Sequence, residues 1–474
     1  MKTNNHIVSL NLFTNRLDNK KWFLLLILQS CFLNSCDNFV EVDLPNSQLT
    51  SPAVFEDKAT GNATMVDIYN KIRDNGLLTG ISSGISNQLG NYTDELVCYG
   101  STASVSFDFY NNALVATNSN ISAVWNSSYN QIYGTNSVLE GVKNAVALPT
   151  PDRDQLTGEA LFVRGLIHFY LTNLFGDIPY ITSTDYQQNS SPKRIPQTEV
   201  YDKIKTDLAQ AIALLPEAYI STEKVRPNKF AAVALLARVD LYSGNWAEAA
   251  ANATQVINNT ALYQWTSLNK VFLKNSTTTI WQLMPAVKGK NTFEGETFIF
   301  TAGPPPLTAL SPGLMNAFTT GDLRKSWWTK AVTNGTTIWY HAYKYNQFQN
   351  TTTSLEYSIV LRLAEQYLIR AEAKAHLNDA VGAAQDLNAV RNQAGLTNTT
   401  ATTSSQILDA IQQERRLEFF TEFGHRFFDL KRTNKLDSTL SGVKLGWDAK
   451  DQLWPIPAME LLVNPNLQPQ NFGY

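Results

Sequence analysis

Residues 229–258 contain the sequence KFAAVALLARVDLYSGNWAEAAANATQVIN, in which a glycine separates two helical patterns. In the first pattern, apolar residues recur at positions i, i+3, i+4 and i+7, the spacing of one helical face. These residues are Ala232, Leu235, Leu236 and Val239. After Gly244, a second stripe of small and apolar residues follows, formed by Ala249, Ala250, Ala253, Val256 and Ile257. The stretch therefore predicts two antiparallel helices that pack closely through small side chains.

The turn of this pair, GNWAEAA at residues 244–250, resembles the turn of a tetratricopeptide repeat. Similar helical pairs are predicted elsewhere in the chain, at residues 63–73 with 124–142, 159–175 with 200–215, and 356–377 with 380–394. Because a single pair cannot bury its apolar face alone, the pairs are expected to stack. The predicted fold is mostly α, a tetratricopeptide-like superhelix of about four helical pairs.

A final helix is predicted from residue 404 to about residue 423, because Thr403 and Gln406 have the spacing of a capping box.

Two segments, near residues 77–119 and 260–354, lose the helical pattern and are predicted to be long, loop-rich excursions from the frame. Asn334 and Gly335 separate two runs of aromatic and β-branched residues, which predicts a small β-hairpin. Loops carried by a rigid frame are where binding surfaces usually lie. Because no long linker divides the chain, residues 56–474 are predicted to form a single domain.

The amino-terminal segment has the pattern of a secretory signal. The apolar run of residues 22–33 follows a basic flank formed by Arg16, Lys20 and Lys21. This run is shorter than the roughly 20 apolar residues of a membrane span. Residues 33–36, Leu-Asn-Ser-Cys, resemble a bacterial lipobox. We therefore expect residues 1–35 to be a removed signal peptide, Cys36 to be lipidated, and residues 36–55 to be a lipid-anchored linker. The alternative is an ordinary secretory signal, cut nearby, with an incidental Cys36.

Composition excludes one class of partner. The net charge is −3 and no basic stripe is present, which argues against binding to a nucleic acid. The chain has three cysteines. Loss of the signal peptide and acylation of Cys36 leave Cys98 without a partner in the same chain, so we expect Cys98 to be a small buried apolar residue.

No motif in the sequence predicts catalysis, a cofactor or a metal ion. Carboxylates are plentiful, but none forms a recognisable acid and base pair of a glycoside hydrolase. Gly100 and Ser101 do not form part of a Gly-x-Ser-x-Gly nucleophile motif. His168, His341, His376 and His425 lack metal-ligand spacing, and the helical His168 and His376 are expected to pack in the frame. The sequence therefore predicts binding without chemistry.

Four tracts carry distinctive motifs, at residues 159–179, 362–373 and 414–430 and at the carboxy terminus, with WPIPAME at residues 454–460 and QNFGY at 470–474. In this order they resemble the SusD/RagB family of nutrient-binding outer-membrane lipoproteins, and the carboxy-terminal tract is the most specific. Within the third tract, Glu414, Arg415, Glu418 and Glu422 have helical spacing. We expect these charges to form ion pairs that build the frame, because such pairs are common on helices.

The resemblance implies a surface-exposed lipoprotein of the outer membrane that faces the exterior. Such a protein binds a nutrient, either an oligosaccharide or a peptide, and delivers it to a TonB-dependent SusC-like transporter. The alternative function is a tetratricopeptide-type scaffold for protein interactions on the cell envelope. A scaffold would show no affinity for oligosaccharides.

Aromatic residues of the two excursions are the candidate ligand contacts, because the apolar face of a pyranose can lie flat on an aromatic ring. The chief candidates are Trp327, Trp328, Trp339 and Tyr340, with Tyr92 and Tyr99 as weaker ones. Side chains alternate along a strand, so Trp327 and Trp328 are expected to face opposite ways, one of them packing on the frame. Core packing is the alternative for each residue, since large aromatics are mostly buried.

Overall fold

Helices make up most of the computed structural model, which describes residues 54–474. The predicted signal peptide, Cys36 and all but the last two residues of the predicted linker lie outside the described residues. Phe55, predicted to be in the linker, is buried in the hydrophobic core, so the folded part of the chain begins before residue 56.

Within the described range the chain forms 18 α-helices. They are α1 (Lys58–Asn75), α2 (Ile85–Tyr92), α3 (Phe107–Tyr110), α4 (Ser119–Lys143), α5 (Thr150–Phe175), α6 (Tyr186–Asn189), α7 (Gln197–Leu214), α8 (Lys229–Tyr242), α9 (Trp246–Ile257), α10 (Phe293–Phe298), α11 (Pro312–Ala317), α12 (Leu323–Trp328), α13 (Leu363–His376), α14 (Ala380–Gln393), α15 (Ser404–Glu418), α16 (His425–Arg432), α17 (Leu436–Leu440) and α18 (Ala458–Val463).

Six short strands in the described residues form three two-stranded antiparallel sheets. Strand β1 (Leu96–Cys98) pairs with β3 (Thr308–Leu310), and β2 (Thr279–Leu283) pairs with β6 (Ser358–Arg362). The predicted hairpin is confirmed as β4 (Thr329–Thr333) and β5 (Ile338–Ala342). Its turn contains Gly335 at φ +92°, a conformation that glycine adopts without steric cost.

The helical pairs are confirmed. In the first pair, Asn228 caps α8 by accepting from the amide of Ala231, and Gly244 takes φ +76° before α9 begins. The other pairs are α1 with α4, α5 with α7, and α13 with α14. Neighbouring pairs stack because α7 packs on α8 and α9 packs on α13. The fold is a tetratricopeptide-like helical frame, as predicted.

Helix α5 lies at the centre of the core. Every residue from 158 to 175 is buried, because α4 and α7 pack against this helix. Its one buried guanidinium, on Arg164, forms two hydrogen bonds with Asp207 of α7, at 2.6 and 2.7 Å. A buried charge without such a partner would be strongly destabilising. Within residues 54–474, none of the helices combines the length and apolar character needed to cross a membrane.

Two predicted helix boundaries are wrong. The helix predicted from residue 356 begins at Leu363, because the preceding residues form β6, which is fully buried against β2. Pairing between distant strands therefore overrides the local helical pattern. Helix α15 has the predicted capping box but ends at Glu418, since Thr421 and Phe423 take positive φ angles. The two excursions also contain short helices that their patterns did not predict.

Ion pairs join the third charged tract to the second excursion and to β6. The Arg324 guanidinium contacts Glu414 at 2.6 Å and Glu418 at 3.0 Å. Arg362 contacts Glu418 at 2.6 Å and Glu422 at 2.8 Å. All five side chains are buried. The prediction that these charges build the frame is confirmed, but the partners differ from Arg426, Lys431 and Arg432, which the sequence suggested for these glutamates.

Cys98, at the end of β1, is only half-buried, so the prediction of a buried apolar role is wrong. The reason is its position on a short strand that lies near the surface of the first excursion. Partial burial raises the pKa of its thiol above the ordinary value.

Candidate ligand-binding surface

The two excursions meet in the folded chain, although they are far apart in sequence. Strand β1 of the first excursion pairs with β3 of the second, with Leu96 opposite Leu310. Beyond the strand, the amides of Tyr99 and Gly100 both donate to the carbonyl of Leu307, at 2.8 and 3.1 Å. The excursions therefore form one continuous surface.

One face of the β4–β5 hairpin lies on this surface. Val332 pairs with Trp339, so their side chains share a face of the hairpin. The Trp339 ring lies against Gly303, where a Cβ atom would come within 2.1 Å of it, so the contact depends on glycine. Two positions along the same face, His341 packs edge-to-face on Phe300 at a centroid distance of 5.1 Å.

The proline segment, defined here as residues 303–307, connects these contacts. The Trp339 ring contacts Gly303, the first residue of the segment. The backbone amide of Tyr99 donates a hydrogen bond to the carbonyl of Leu307, the last residue. Tyr99 is 42% exposed and the Trp339 side chain is half-buried, so both rings are accessible to a ligand. We call Tyr99, the proline segment and Trp339 the excursion surface.

Tyr340 lies on the opposite face of the hairpin from Trp339, because neighbouring side chains alternate. It packs against the hydrophobic cluster that contains Trp328 and Phe272. The structure therefore separates Trp339 from Tyr340, and one ligand cannot stack on both rings.

Trp327 and Trp328 end helix α12 rather than lying on a strand, so the alternation predicted for them does not apply, although one is exposed and the other buried. Trp327 is 49% exposed, whereas Trp328 is 1% exposed and donates its Nε1–H to the carbonyl of Leu268 at 3.1 Å. Trp328 is therefore a core residue, which corrects its assignment as a ligand contact. Trp327 lies before Thr329, at the opposite end of the ladder from Trp339.

Tyr92 is also a core residue, which corrects its assignment to the ligand surface. Its side chain is 0% exposed. Its ring packs edge-to-face on Phe109, Phe427 and Trp447, at centroid distances of 6.3, 5.6 and 6.0 Å. The residue ends helix α2, and helices α3 and α16 cover it, so its exposure could not be judged from the local sequence.

Three carboxyl groups in or next to the two excursions are buried, and their burial was not predicted from the sequence. Burial, with a further contribution from the charge of Asp94, raises the pKa of Glu95 to about 8. Burial raises the pKa of Glu294 to about 7 and that of Glu356 to about 7. Desolvation of this kind depends on tertiary packing, and no sequence motif marks it.

Of the two histidines expected to pack in the frame, His168 is buried, whereas His376 is exposed and contacts the frame from the surface. Burial lowers the pKa of His168 to about 3, and its ring stacks on Tyr180 at a centroid distance of 3.9 Å. His376 stacks on Trp246 at 3.9 Å. Among residues 54–474, no group of three His, Cys, Asp or Glu side chains is arranged to hold a metal ion.

Comparisons with known families and proteins agree on one assignment. Residues 54–241 match the family model described as "Starch-binding associating with outer membrane", and residues 319–474 match the model described as "SusD family". Two curated relatives come from Formosa agariphila. SusD-like protein P2 is 27% identical over 67% of this chain and 74% of its own length. SusD-like protein P25 is 24% identical over 94% of this chain and 96% of its own length.

Solved structures share the fold. A SusD superfamily protein from Bacteroides vulgatus superposes with a TM-score of 0.77 at 21% identity, covering 89% of this chain and all 100% of that one. A laminarin-binding SusD-like protein gives 0.73 at 24% identity, over 88% of this chain and 99% of its own. Surface glycan-binding protein A from Bacteroides fluxus gives 0.73 at 20% identity, over 88% and 100%.

Proposed function

This chain belongs to the SusD/RagB family, and from that premise we propose that it binds an oligosaccharide at the cell surface and delivers it to a TonB-dependent transporter. In this proposal the protein is held in the outer membrane by a lipid on Cys36 and faces the exterior. It captures its ligand without altering it chemically.

The excursion surface is the observation that carries this proposal. It contains two partly exposed aromatic residues, Tyr99 and Trp339, which contact the last and the first residue of the proline segment. Aromatic rings bind the apolar face of a sugar, and neighbouring polar groups bind its hydroxyls. The names of two structural neighbours, a laminarin-binding protein and a surface glycan-binding protein, favour a glycan over a peptide.

Titration of purified protein with an array of polysaccharides and peptides tests this function. Once a ligand is found, Trp339→Ala should weaken its binding by about tenfold or more, because an aromatic platform contributes on the order of 1–3 kcal/mol. Tyr186→Ala is the matched control, since Tyr186 is 76% exposed and lies on α6, outside both excursions. Unchanged affinity of a folded Trp339→Ala protein would place the site elsewhere.

The same titration separates the proposal from its two alternatives. A protein-interaction scaffold would bind none of the oligosaccharides. A hydrolase would bind an oligosaccharide and release new reducing ends during prolonged incubation, whereas we expect the ligand to be recovered intact.

A further inference from the structure

A cavity of about 560 Å³, including its open mouth, lies between the two excursions. The first excursion contributes Leu78 and Gly80 to its lining. Most of the remaining wall comes from the second excursion and is apolar, formed by Leu283, Pro285, Ala286, Val287 and Phe293. The cavity is thus a largely apolar pocket lined by residues of both excursions.

Glu294 places a buried carboxyl group in this apolar lining. Its Oε1 atom accepts a hydrogen bond from the Ser358 hydroxyl. Its Oε2 atom is buried and has no partner among the described residues, although it lies close to the backbone of Gly80. A buried oxygen without a hydrogen bond is destabilising, so a ligand group that donates to this atom would be bound favourably.

The neighbouring polar groups of the cavity are already occupied. Arg73 forms hydrogen bonds with Asp74 at 2.6 and 2.7 Å and with the carbonyl of Met284 at 2.8 Å. The exception is Lys290, an exposed residue whose contact with Glu296 is 3.6 Å long. The cavity therefore offers one buried acceptor, on Glu294, and one mobile donor, on Lys290.

We propose that this cavity accepts the acetamido group of an N-acetylated sugar. The amide N–H donates to the free Oε2 of Glu294, the carbonyl accepts from Lys290, and the methyl group packs among the apolar side chains. This inference rests on the proposed glycan-binding function and adds the class of sugar that is bound.

Other groups fit the lining less well. A plain sugar hydroxyl would leave most of the apolar wall without a contact, and a second hydroxyl would have no partner there. A cationic group would approach the positive charges of Arg73 and Lys290. Burial raises the pKa of Glu294 to about 7, so its carboxyl is partly neutral at physiological pH, which also suits an uncharged ligand.

A short segment of chain connects the cavity to the excursion surface. Helix α10 begins at Phe293 and ends at Phe298, and five further residues lead to Gly303 beneath Trp339. From the rise per residue of a helix and of an extended chain, Glu294 and Gly303 are separated by at most about 25 Å.

Calorimetric titration with chitotriose and cellotriose tests the inference, because these trisaccharides share their linkage and differ in the acetamido group. The intact protein should bind chitotriose at least about tenfold more tightly, the effect of a hydrogen bond to a carboxylate. Glu294→Leu should remove this preference, while Glu294→Gln, which keeps a carbonyl acceptor and the size, should retain most of it. Ala286 is an exposed residue at the mouth of the cavity. Ala286→Trp should therefore block entry of the acetamido group and also remove the preference for chitotriose.

The outcomes separate this inference from the proposed function. If cellotriose or other unsubstituted glycans bind and chitotriose is not preferred, the acetamido site is wrong and the glycan-binding function stands. The same holds if Glu294→Leu and Ala286→Trp both fold and keep the preference. If no glycan binds at all, the function is wrong and this inference with it.

Discussion

Asp94 and Glu95 are adjacent in the chain but ionise differently. Burial opposes ionisation of Asp94, yet Arg426 and Arg416 outweigh it and hold the pKa of that carboxyl below its ordinary value. Glu95 is buried and forms no ion pair among the described residues, and burial together with the charge of Asp94 raises its pKa to about 8. One carboxyl therefore stabilises the frame as an ion pair, while its neighbour stays protonated at neutral pH.

Glu95→Gln should change how stability depends on pH. Between about pH 4.5 and pH 8 the unfolded chain ionises this group and the folded chain does not, so the intact protein loses stability as pH rises through this window. The variant has no ionisable group at this position. Its free energy of unfolding, relative to that of the intact protein, should therefore rise by several kcal/mol across this pH window, at about 1.36 kcal/mol for each unit by which folding shifts the pKa.

Denaturant unfolding of both proteins near pH 5, 7 and 9 measures this difference. Because all other ionisable groups are common to the two proteins, their contributions cancel when the curves are subtracted. A difference that stays constant across these pH values would contradict the burial of a protonated Glu95.

Cys36 lies outside the described residues, and its lipidation stays a prediction from the lipobox. Cys36→Ala should release the protein into the soluble fraction, because the acyl chains are the expected membrane attachment. Fractionation and immunoblotting of cells measure the change, with Cys98→Ala as the matched control that should stay in the membrane fraction. Membrane retention of Cys36→Ala would refute lipid anchoring at this residue.

At the scale of elements, the segment from α12 to the β4–β5 hairpin combines a structural and an exposed tryptophan. Trp328 packs edge-to-face on Phe272 at 5.4 Å, and the ammonium of Lys344 lies 5.1 Å from its ring centroid. The Trp328 side chain therefore packs the start of the hairpin against the core. The other end of the hairpin then presents Trp339 against Gly303.

Trp328→Ala should therefore destabilise the protein by about 3–5 kcal/mol, the cost of truncating a large buried aromatic side chain. Trp327→Ala, its exposed neighbour, should change the free energy of unfolding by less than about 1 kcal/mol. Chemical denaturation of the two variants provides the comparison. Equal losses of stability would mean that the two rings do not differ in burial in solution.

For the whole molecule, the helical frame holds two long excursions in one position. Stacked helical pairs form the frame, and the buried charges of Arg324 and Arg362 join α15 and the segment that follows it to the second excursion and β6. Pairing of β1 with β3 then connects the first excursion to the second. A binding surface built in this way is held rigid before ligand arrives, which lowers the entropic cost of binding.

A surface-tethered binding protein can only concentrate its ligand, so uptake requires a pore. We therefore expect a large TonB-dependent β-barrel to co-purify with the tagged protein from membranes in mild detergent. Mass spectrometry of the eluate identifies it, and a lysate without the tagged protein is the control. Recovery of the tagged protein alone, under conditions that keep related complexes intact, would count against the transporter as partner.

The sequence by itself determined the helical frame, the hairpin turn and the family, because helical periodicity, capping boxes and glycine turns are local properties of a chain. The carboxy-terminal tract and the ion-pairing charges are likewise recognisable from local sequence patterns. Tertiary structure alone decided that Tyr92 and Trp328 are buried, that β6 replaces a helical turn, and that Tyr99 and Trp339 contact opposite ends of the proline segment. Tertiary structure also decided that the Oε2 atom of Glu294 is buried without a hydrogen-bond partner among the described residues. Each depends on contacts between residues far apart in the chain, whose burial and pairing no local pattern encodes.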